Sequence, residues 1–166
     1  MTMFSSKETF GLLASPNPYA SCMRFFSPQG IHVDQLGEVT LRRLLEKEYV
    51  SSPIHVFSLS AGRLVGIEQS GPRQAQNIVN AIERARNTTL ARFIYSCGIY
   101  SIENYSALEL AYYFNDLESL QNADIATLHR RLHEVEAANI YNFFRHPANI
   151  DLIDALMKEI RILQPY

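Results

Sequence analysis

One stretch of the sequence combines the residue types needed to bind an anion, and it lies between Arg63 and Arg86. Within it, Gly71 and Pro72 precede a run of apolar residues at helical spacing, and this pattern predicts a helix that begins at Pro72. The first N–H groups of a helix have no partner inside it, and a glycine before them lets a phosphate approach the backbone closely. With Arg73 beside these groups, the turn is a candidate phosphate site.

The side chains most often used in catalysis form no known arrangement in the sequence. The five histidines fit neither a zinc-protease motif nor a Cys–His signature, and no serine lies in a nucleophile elbow. His129 and His133 lie four residues apart on one face of a predicted helix, which is a spacing that can hold a metal. Arg131 lies between them and no third ligand is evident. We therefore favour an exposed helix face and predict no metal and no cofactor.

Length and composition predict an ordinary globular protein. With 166 residues and 47% apolar content, the chain can bury one core or two very small ones. The N-terminus has no signal-peptide core, and no run of about 20 apolar residues could span a membrane. We therefore expect a cytoplasmic protein without a membrane partner. Cys22 and Cys97 are too few for a disulfide framework, so both are interpreted as reduced packing residues.

The charges are unevenly distributed along the chain. Residues 63–92 contain five arginines and two glutamates, a local net charge of +3, whereas residues 103–166 have a net charge of −5. Proteins bind the DNA backbone by neutralising phosphates with cationic groups. The acidic second half is therefore poorly suited to wrapping a duplex, and the middle of the chain is the candidate for contacting DNA.

Apolar residues at helical spacing predict three further helices. They cover residues 34–49, 125–132 and 149–163. Asp34 and Asp124 are candidate N-caps for the first two. The short apolar runs 54–59 and 64–67 are ambiguous, because their β-branched content favours a strand hairpin while periodicity cannot separate runs of this length from helices.

Aromatic and aliphatic residues of the predicted helices are expected to pack in the core. This interpretation covers Leu64, Ile78, Val79, Ile82, Phe93, Tyr112, Phe114, Ile140 and Phe143. Tyrosines are harder to place, since a phenol can fill a core or form part of a surface that faces a partner. Both alternatives stay open for Tyr100, Tyr105, Tyr112 and Tyr113.

One continuous segment runs from Leu45 to Ile99 and contains RLVGIEQSGPRQAQNIVNAIERAR. It resembles, without a gap, the helix-hairpin-helix region of bacterial NAD-dependent DNA ligase, and a weaker resemblance extends over roughly residues 11–163. The resemblance implies a mainly α fold, in which residues 34–166 form a compact bundle of short helices with tandem helix-hairpin-helix architecture. It also implies that the two ambiguous runs are short helices, and we adopt that interpretation.

In the same family a small zinc finger precedes the hairpins, and residues 1–33 correspond to an irregular remnant of it. Glu8 and Ala14 occupy the positions of the last two zinc ligands, so we expect no zinc. We expect this segment either to pack as an apolar strap or to be partly mobile. The apolar residues available for packing are Phe10, Leu12, Leu13, Phe25 and Phe26.

The hairpins that grip DNA in that family are unequally retained here. The first, at 35–39, lacks one glycine and the lysine. The third has Tyr100 in place of an arginine and Glu103 in place of a glycine, and a carboxylate at that position repels phosphate. The fourth, at 133–136, has lost its glycine and is predicted to be one bent or continuous helix. The hairpin at 68–74 keeps its glycine turn.

The resemblance therefore implies a degenerate relative of a DNA-binding scaffold. The catalytic domains of the ligase are absent from this sequence, so we expect neither enzyme activity nor nucleotide binding. The favoured function is an adaptor that binds a protein partner, and the alternative is an accessory, sequence-independent binder of double-stranded DNA. Residual contacts to the DNA backbone would involve Gly71, Arg73, Gln74, Arg63, Arg84, Arg86 and Arg92.

Overall fold

The structure is a computed structural model that describes residues 8–67 and 71–163. Most of these residues form short helices, so the predicted mainly α fold is confirmed. In chain order the helices are α1 (Pro18–Phe25), α2 (Glu38–Glu46), a 3₁₀ helix (Pro53–Ser58), α3 (Ala61–Ile67), α4 (Pro72–Ala85), α5 (Leu90–Ser96), α6 (Asn104–Phe114), α7 (Leu117–Gln121), α8 (Ile125–His129), α9 (Glu134–Phe143) and α10 (Pro147–Leu156). Two short strands, β1 (Asn87–Thr88) and β2 (Arg161–Ile162), pair in parallel.

The helices pack around one contiguous hydrophobic core to which every one of them contributes. Phe25 of α1, Phe93 of α5 and Phe143 of α9 are its largest fully buried side chains. Most of the predicted core residues lie inside it, and Val79 and Phe114 are partly buried against it. Tyr112 was predicted to be a core residue, and this is wrong, because its side chain is 88% exposed on α6.

The two ambiguous runs are helical, as the resemblance implied. Pro53 begins the 3₁₀ helix, where its missing N–H costs nothing, and α3 follows after two residues. Leu64 and Ile67 of α3 point into the core. Burial of these apolar residues against neighbouring helices therefore overrides their local strand preference.

The helix predicted to begin at Pro72 is α4, and it has the most pronounced amphipathic pattern of the fold. Gly71 adopts a φ of 95°, a left-handed conformation that favours glycine, and Pro72 takes the first helical position. Ala75, Ile78, Ala81 and Ile82 are buried along one face. The first part of the predicted turn, residues 68–70, lies outside the described residues.

The predicted start of one helix and the predicted end of another are wrong. Asp34 does not cap α2, which begins at Glu38 after Gly37; Leu36 is instead buried in the segment before the helix. The last helix ends at Leu156 rather than Leu163. Beyond it the chain forms β2, and the parallel pairing with β1 uses backbone groups that a continued helix would have needed.

The segment between α8 and α9 corrects another prediction. Asp124 caps α8 as expected, because its Oδ1 accepts a hydrogen bond from the Thr127 N–H at 2.8 Å. The helix then ends at His129, and a new one begins at Glu134 after His133. The His133 N–H donates to Glu136 Oε1 at 3.2 Å, which satisfies a donor at the start of α9. Two separate helices are therefore present where one bent or continuous helix was predicted, and the two histidines do not share a helix face.

The segment before residue 34 is more regular than the sequence predicted. Asn17 Oδ1 accepts hydrogen bonds from the N–H groups of Tyr19 and Ala20, and this cap starts α1. Leu13 and Phe26 are buried, so the interpretation of the segment as packed apolar residues is confirmed for residues 8–33. These residues belong to the same core as the remainder of the fold.

A buried serine fastens this N-terminal segment to α5. Ser96 Oγ donates to the Phe25 carbonyl at 2.7 Å and accepts from the Ile31 N–H at 2.7 Å. Gly30 lies against this pair, with no room for a side chain: an added Cβ would collide with Ser96 Oγ and lie 2.7 Å from the Phe25 carbonyl oxygen. The absence of a side chain at Gly30 is therefore required by close packing.

Replacing Gly30 with Ala should lower the free energy of unfolding by about 1–3 kcal/mol, since the added methyl overfills a packed site. Chemical denaturation of the purified variant measures this loss. Gly62→Ala is the matched control, because its Cβ would meet Ser60 Oγ at 3.8 Å, an ordinary contact. Equal stability of the two variants would contradict the packing described here.

Candidate functional site

The candidate phosphate site lies at the N-terminus of α4. No side chain of the described residues caps this helix start, and a Cβ built on Gly71 would meet no described atom within 4 Å. Arg73 is exposed beside it. The backbone geometry that the sequence predicted for this turn is therefore present at residues 71–74.

A side-chain hydrogen bond links the segment before α2 to this site. Gln74 Nε2 donates to Gln35 Oε1 at 2.6 Å. Gln35 lies three residues before Glu38, the first residue of α2, and within the described residues no side chain caps that helix start either. The Gln74–Gln35 bond therefore brings the two helix starts towards each other. The Glu38 carboxylate at the start of α2 accepts hydrogen bonds from Arg42 and Tyr19 and adds negative charge there.

Arg86 was predicted to contact DNA, but the structure assigns it to holding the fold together. Its guanidinium donates to the Phe57 carbonyl at 2.7 Å and to the Glu159 carbonyl at 3.0 Å. It also pairs with the carboxylates of Glu83 at 3.0 Å and Glu159 at 2.8 Å. The side chain is 25% exposed, so it has little surface left for a ligand.

Arg92 has a similar internal role. Its Nη1 donates to the carbonyls of Pro28 at 2.9 Å and Gly30 at 2.8 Å, and these bonds hold the turn after α1 against α5. Arg63 stacks on the ring of Tyr49, with 4.6 Å between the guanidinium carbon and the ring centroid. Both arginines therefore make contacts inside the chain, and both are also exposed at the surface.

Arg84 and Arg73 lie at opposite ends of α4. Eleven residues separate them, which corresponds to about 16 Å along a helix. Arg84 lines a cleft of about 320 Å³ together with Arg92 and His32, and Asp34 lies in the same cleft, 4.0 Å from Arg84 Nη2. The predicted contacts thus fall into separate places, and the structure does not bring them together in one site.

The segment predicted to be the third hairpin, at 98–103, is bonded to the N-terminal segment. The Tyr100 N–H donates to the Phe10 carbonyl at 3.0 Å, and the Leu12 N–H donates to the Gly98 carbonyl at 3.0 Å. Glu103 occupies the N-cap position of α6 without a side-chain hydrogen bond to the helix, and its Oε1 lies 3.6 Å from Arg24 Nη2. The sequence predicted no DNA binding at this turn because of the Glu103 carboxylate. A second reason, which the sequence did not reveal, is that the Tyr100 N–H is already bonded to the Phe10 carbonyl.

One helix, α6, exposes several large apolar side chains. Tyr105, Leu108 and Tyr112 are 72%, 52% and 88% exposed, and their spacing of three and four residues places them on one face of the helix. Tyr113 lies beside them, partly buried under the guanidinium of Arg131. We call this surface the α6 face. The sequence had left a core or a surface position open for these tyrosines; Tyr105 and Tyr112 lie at the surface, and Tyr113 is partly buried.

Neither thiol is placed for chemistry. Cys22 and Cys97 are fully buried, and burial raises the pKa of Cys22 to about 12 and that of Cys97 further still. A thiolate is the reactive form of cysteine, so both residues act in packing, as their number suggested.

Metal-binding side chains are dispersed over the described part of the chain. No group of three or more His, Cys, Asp or Glu residues in 8–67 and 71–163 could hold a metal ion. Glu8 is exposed and Ala14 is partly buried, while His129 and His133 lie at the surface between helices. Over the same residues, we find no helix whose length and apolar character would allow it to cross a membrane.

No family model matches this sequence. The descent from a ligase scaffold therefore stays a prediction that is based on the sequence resemblance.

Replacing Arg86 with Gln should lower the free energy of unfolding by about 2–3 kcal/mol, because the variant loses charge-assisted hydrogen bonds to two other segments. Arg84→Gln, two residues earlier on the same helix and 66% exposed, should change it by no more than about 0.5 kcal/mol. Urea denaturation of both proteins compares the two effects. A small effect at Arg86 would mean that its contacts do not stabilise the fold.

Proposed function

We propose that this protein is a non-catalytic adaptor, a degenerate relative of the ligase's helix-hairpin-helix region, which binds a protein partner through the α6 face. The observation that carries this proposal is the exposure of Tyr105, Leu108 and Tyr112 on one side of a single helix. Contiguous exposed apolar groups rimmed by polar residues are typical of protein interaction sites. Tyrosine in particular is enriched among the residues that contribute most to binding.

The internal use of arginines also favours an adaptor over a DNA-binding protein. Arg86 and Arg92 belong to the basic middle of the sequence, yet both donate to backbone carbonyls of distant segments. Cations engaged in this way contribute less to neutralising phosphates than the sequence charge implies. The local net charge of residues 63–92 therefore overstates the affinity of this region for DNA.

The experiment that tests the adaptor is affinity capture from the native cell, with and without nuclease, followed by mass spectrometry. The protein is compared with a Leu108→Ser, Tyr112→Ser double variant. Because both side chains are exposed, the variant should keep its stability while losing apolar contact area. We expect partners that survive nuclease with the native protein and that fall at least tenfold in the variant.

Val39→Ser provides the matched control, since Val39 is also an exposed apolar residue, 62% accessible, but lies on α2. Capture by this variant should equal that of the native protein. If the double variant retains every nuclease-resistant partner, the α6 face is not the interaction site and the proposal fails.

The alternative function is weak, sequence-independent binding of duplex DNA, and it is favoured by the open helix start at Gly71. Arg73 is exposed there, and its side chain has no hydrogen bond or ion pair with any residue that the structure describes. One such turn would neutralise few phosphates, so binding would be directed to the backbone with a shallow dependence on salt.

We predict that any duplex affinity is no tighter than on the order of 10⁻⁴ to 10⁻⁶ M at physiological salt, and that Arg73→Glu abolishes it. Fluorescence anisotropy with nicked and intact duplexes makes the measurement. Circular dichroism of the variant controls for folding. Nanomolar binding with a steep salt dependence would contradict the adaptor proposal and support the DNA-binding function instead.

A further inference from the structure

We infer that the partner carries a short segment of apolar anchor residues accompanied by one or two carboxylates, and that this segment lies in a groove beside the α6 face. This inference rests on the proposed function and specifies its partner. The groove runs between α6 and the turn that connects α8 to α9. It consists of two adjoining clefts of about 350 and 370 Å³ that share Glu109, Arg130, Arg131 and Leu132.

The walls of the groove supply apolar contact on one side and cations on the other. Leu108, Tyr112 and Tyr113 line the α6 side. Arg130 and Arg131 line the opposite side, and the guanidinium carbon of Arg131 lies 4.0 Å above the centroid of the Tyr113 ring. Stacking holds the guanidinium plane in position, while its edge stays able to donate to a planar carboxylate.

The carboxylates of the groove are already engaged by neighbouring donors. Glu109 Oε2 accepts from the Tyr105 hydroxyl at 3.0 Å. Glu136 accepts from the His133 N–H at 3.2 Å and from Ser106 Oγ at 3.4 Å. By contrast, within residues 8–67 and 71–163 neither Arg130 nor Arg131 has a carboxylate within 4.0 Å.

Arg130 does interact at longer range with the cap of α8. The Thr127 N–H is the main cause of the lowered pKa of Asp124, and Arg130 contributes more weakly through its charge. Both are surface groups, so this attraction is screened by water. The pairing capacity of the two arginines is therefore still available to a ligand.

The charged side chains of the groove favour some classes of ligand over others. A carboxylate placed at the Arg130–Arg131 edge would form charge-assisted hydrogen bonds, and bidentate pairing is the geometry that guanidinium favours. A dense polyanion such as duplex DNA would also meet Glu109 and Glu136, within a segment whose net charge is −5. Apolar side chains with a small number of acids therefore fit the groove better than a phosphate backbone does.

The test is selection of peptides from a randomised 12-residue phage library on the immobilised full chain. Enriched peptides should contain aromatic or aliphatic residues together with Asp or Glu. Synthetic versions of the enriched peptides are then measured by fluorescence polarisation. Arg130→Glu and Arg131→Glu should each weaken binding about tenfold or more, because each replaces a favourable pair with a repulsive one.

Arg161→Glu is the matched control, since this exposed arginine lies on β2 outside the groove, and its binding should equal that of the native protein. Enrichment of basic peptides, failure to enrich any peptide, or equal binding by the charge-reversed variants would overturn the inference. A DNA fragment that competes fully with the enriched peptide would also overturn it. If the charge-reversed variants keep the cellular partners that the Leu108, Tyr112 double variant loses, the inference fails while the adaptor proposal stands.

Discussion

Arginine side chains that donate to backbone carbonyls of distant segments connect the parts of this protein. A bundle of short helices has many helix ends and connecting segments, and their carbonyl groups need donors. Arg24 donates to the carbonyls of Tyr95 and Ile102, both at 2.9 Å, and so joins α1 to the segment before α6. Arg86 does the same for the 3₁₀ helix and the C-terminal segment. A guanidinium suits this task because it has five donors in a fixed plane and always carries charge.

Because some arginines are engaged inside the fold, the cationic charge available to a ligand is smaller than the charge counted from the sequence. The basic middle of the chain resembles a DNA-binding region when its residues are counted, yet Arg86 is mostly buried against carbonyl groups, and Arg92, although exposed, donates to the carbonyls of Pro28 and Gly30. The N-terminal segment has a related effect on the turn before α6, because the Phe10 carbonyl accepts a hydrogen bond from the Tyr100 N–H. Within the part of the chain that the structure describes, Pro72 and Arg73 at the start of α4 and the α6 face are among the exposed surfaces. The proposed adaptor function follows from that distribution of exposed groups.

Local chemistry made several elements predictable. Pro72 after Gly71 and the apolar spacing that follows define α4, and Asp124 caps α8 through a neighbouring N–H. Helix ends were less predictable, since they depend on partners far away in sequence. The last helix stops at Leu156 because the chain beyond it pairs with β1, and the Arg161 N–H donates to the Arg86 carbonyl at 2.6 Å. No periodicity within one segment contains that information.

The mainly α class was implied by the family resemblance, whereas the sequence by itself determined the helical positions of most apolar residues and the glycine turn before α4. These features depend on interactions between residues close in the chain. Tertiary structure alone decided which polar and aromatic groups remain at the surface. Tyr112 and Phe114 are two residues apart on α6, yet the first is exposed and the second packs against the core. Their exposure depends on which side of the helix the rest of the fold covers, and that is a property of long-range packing.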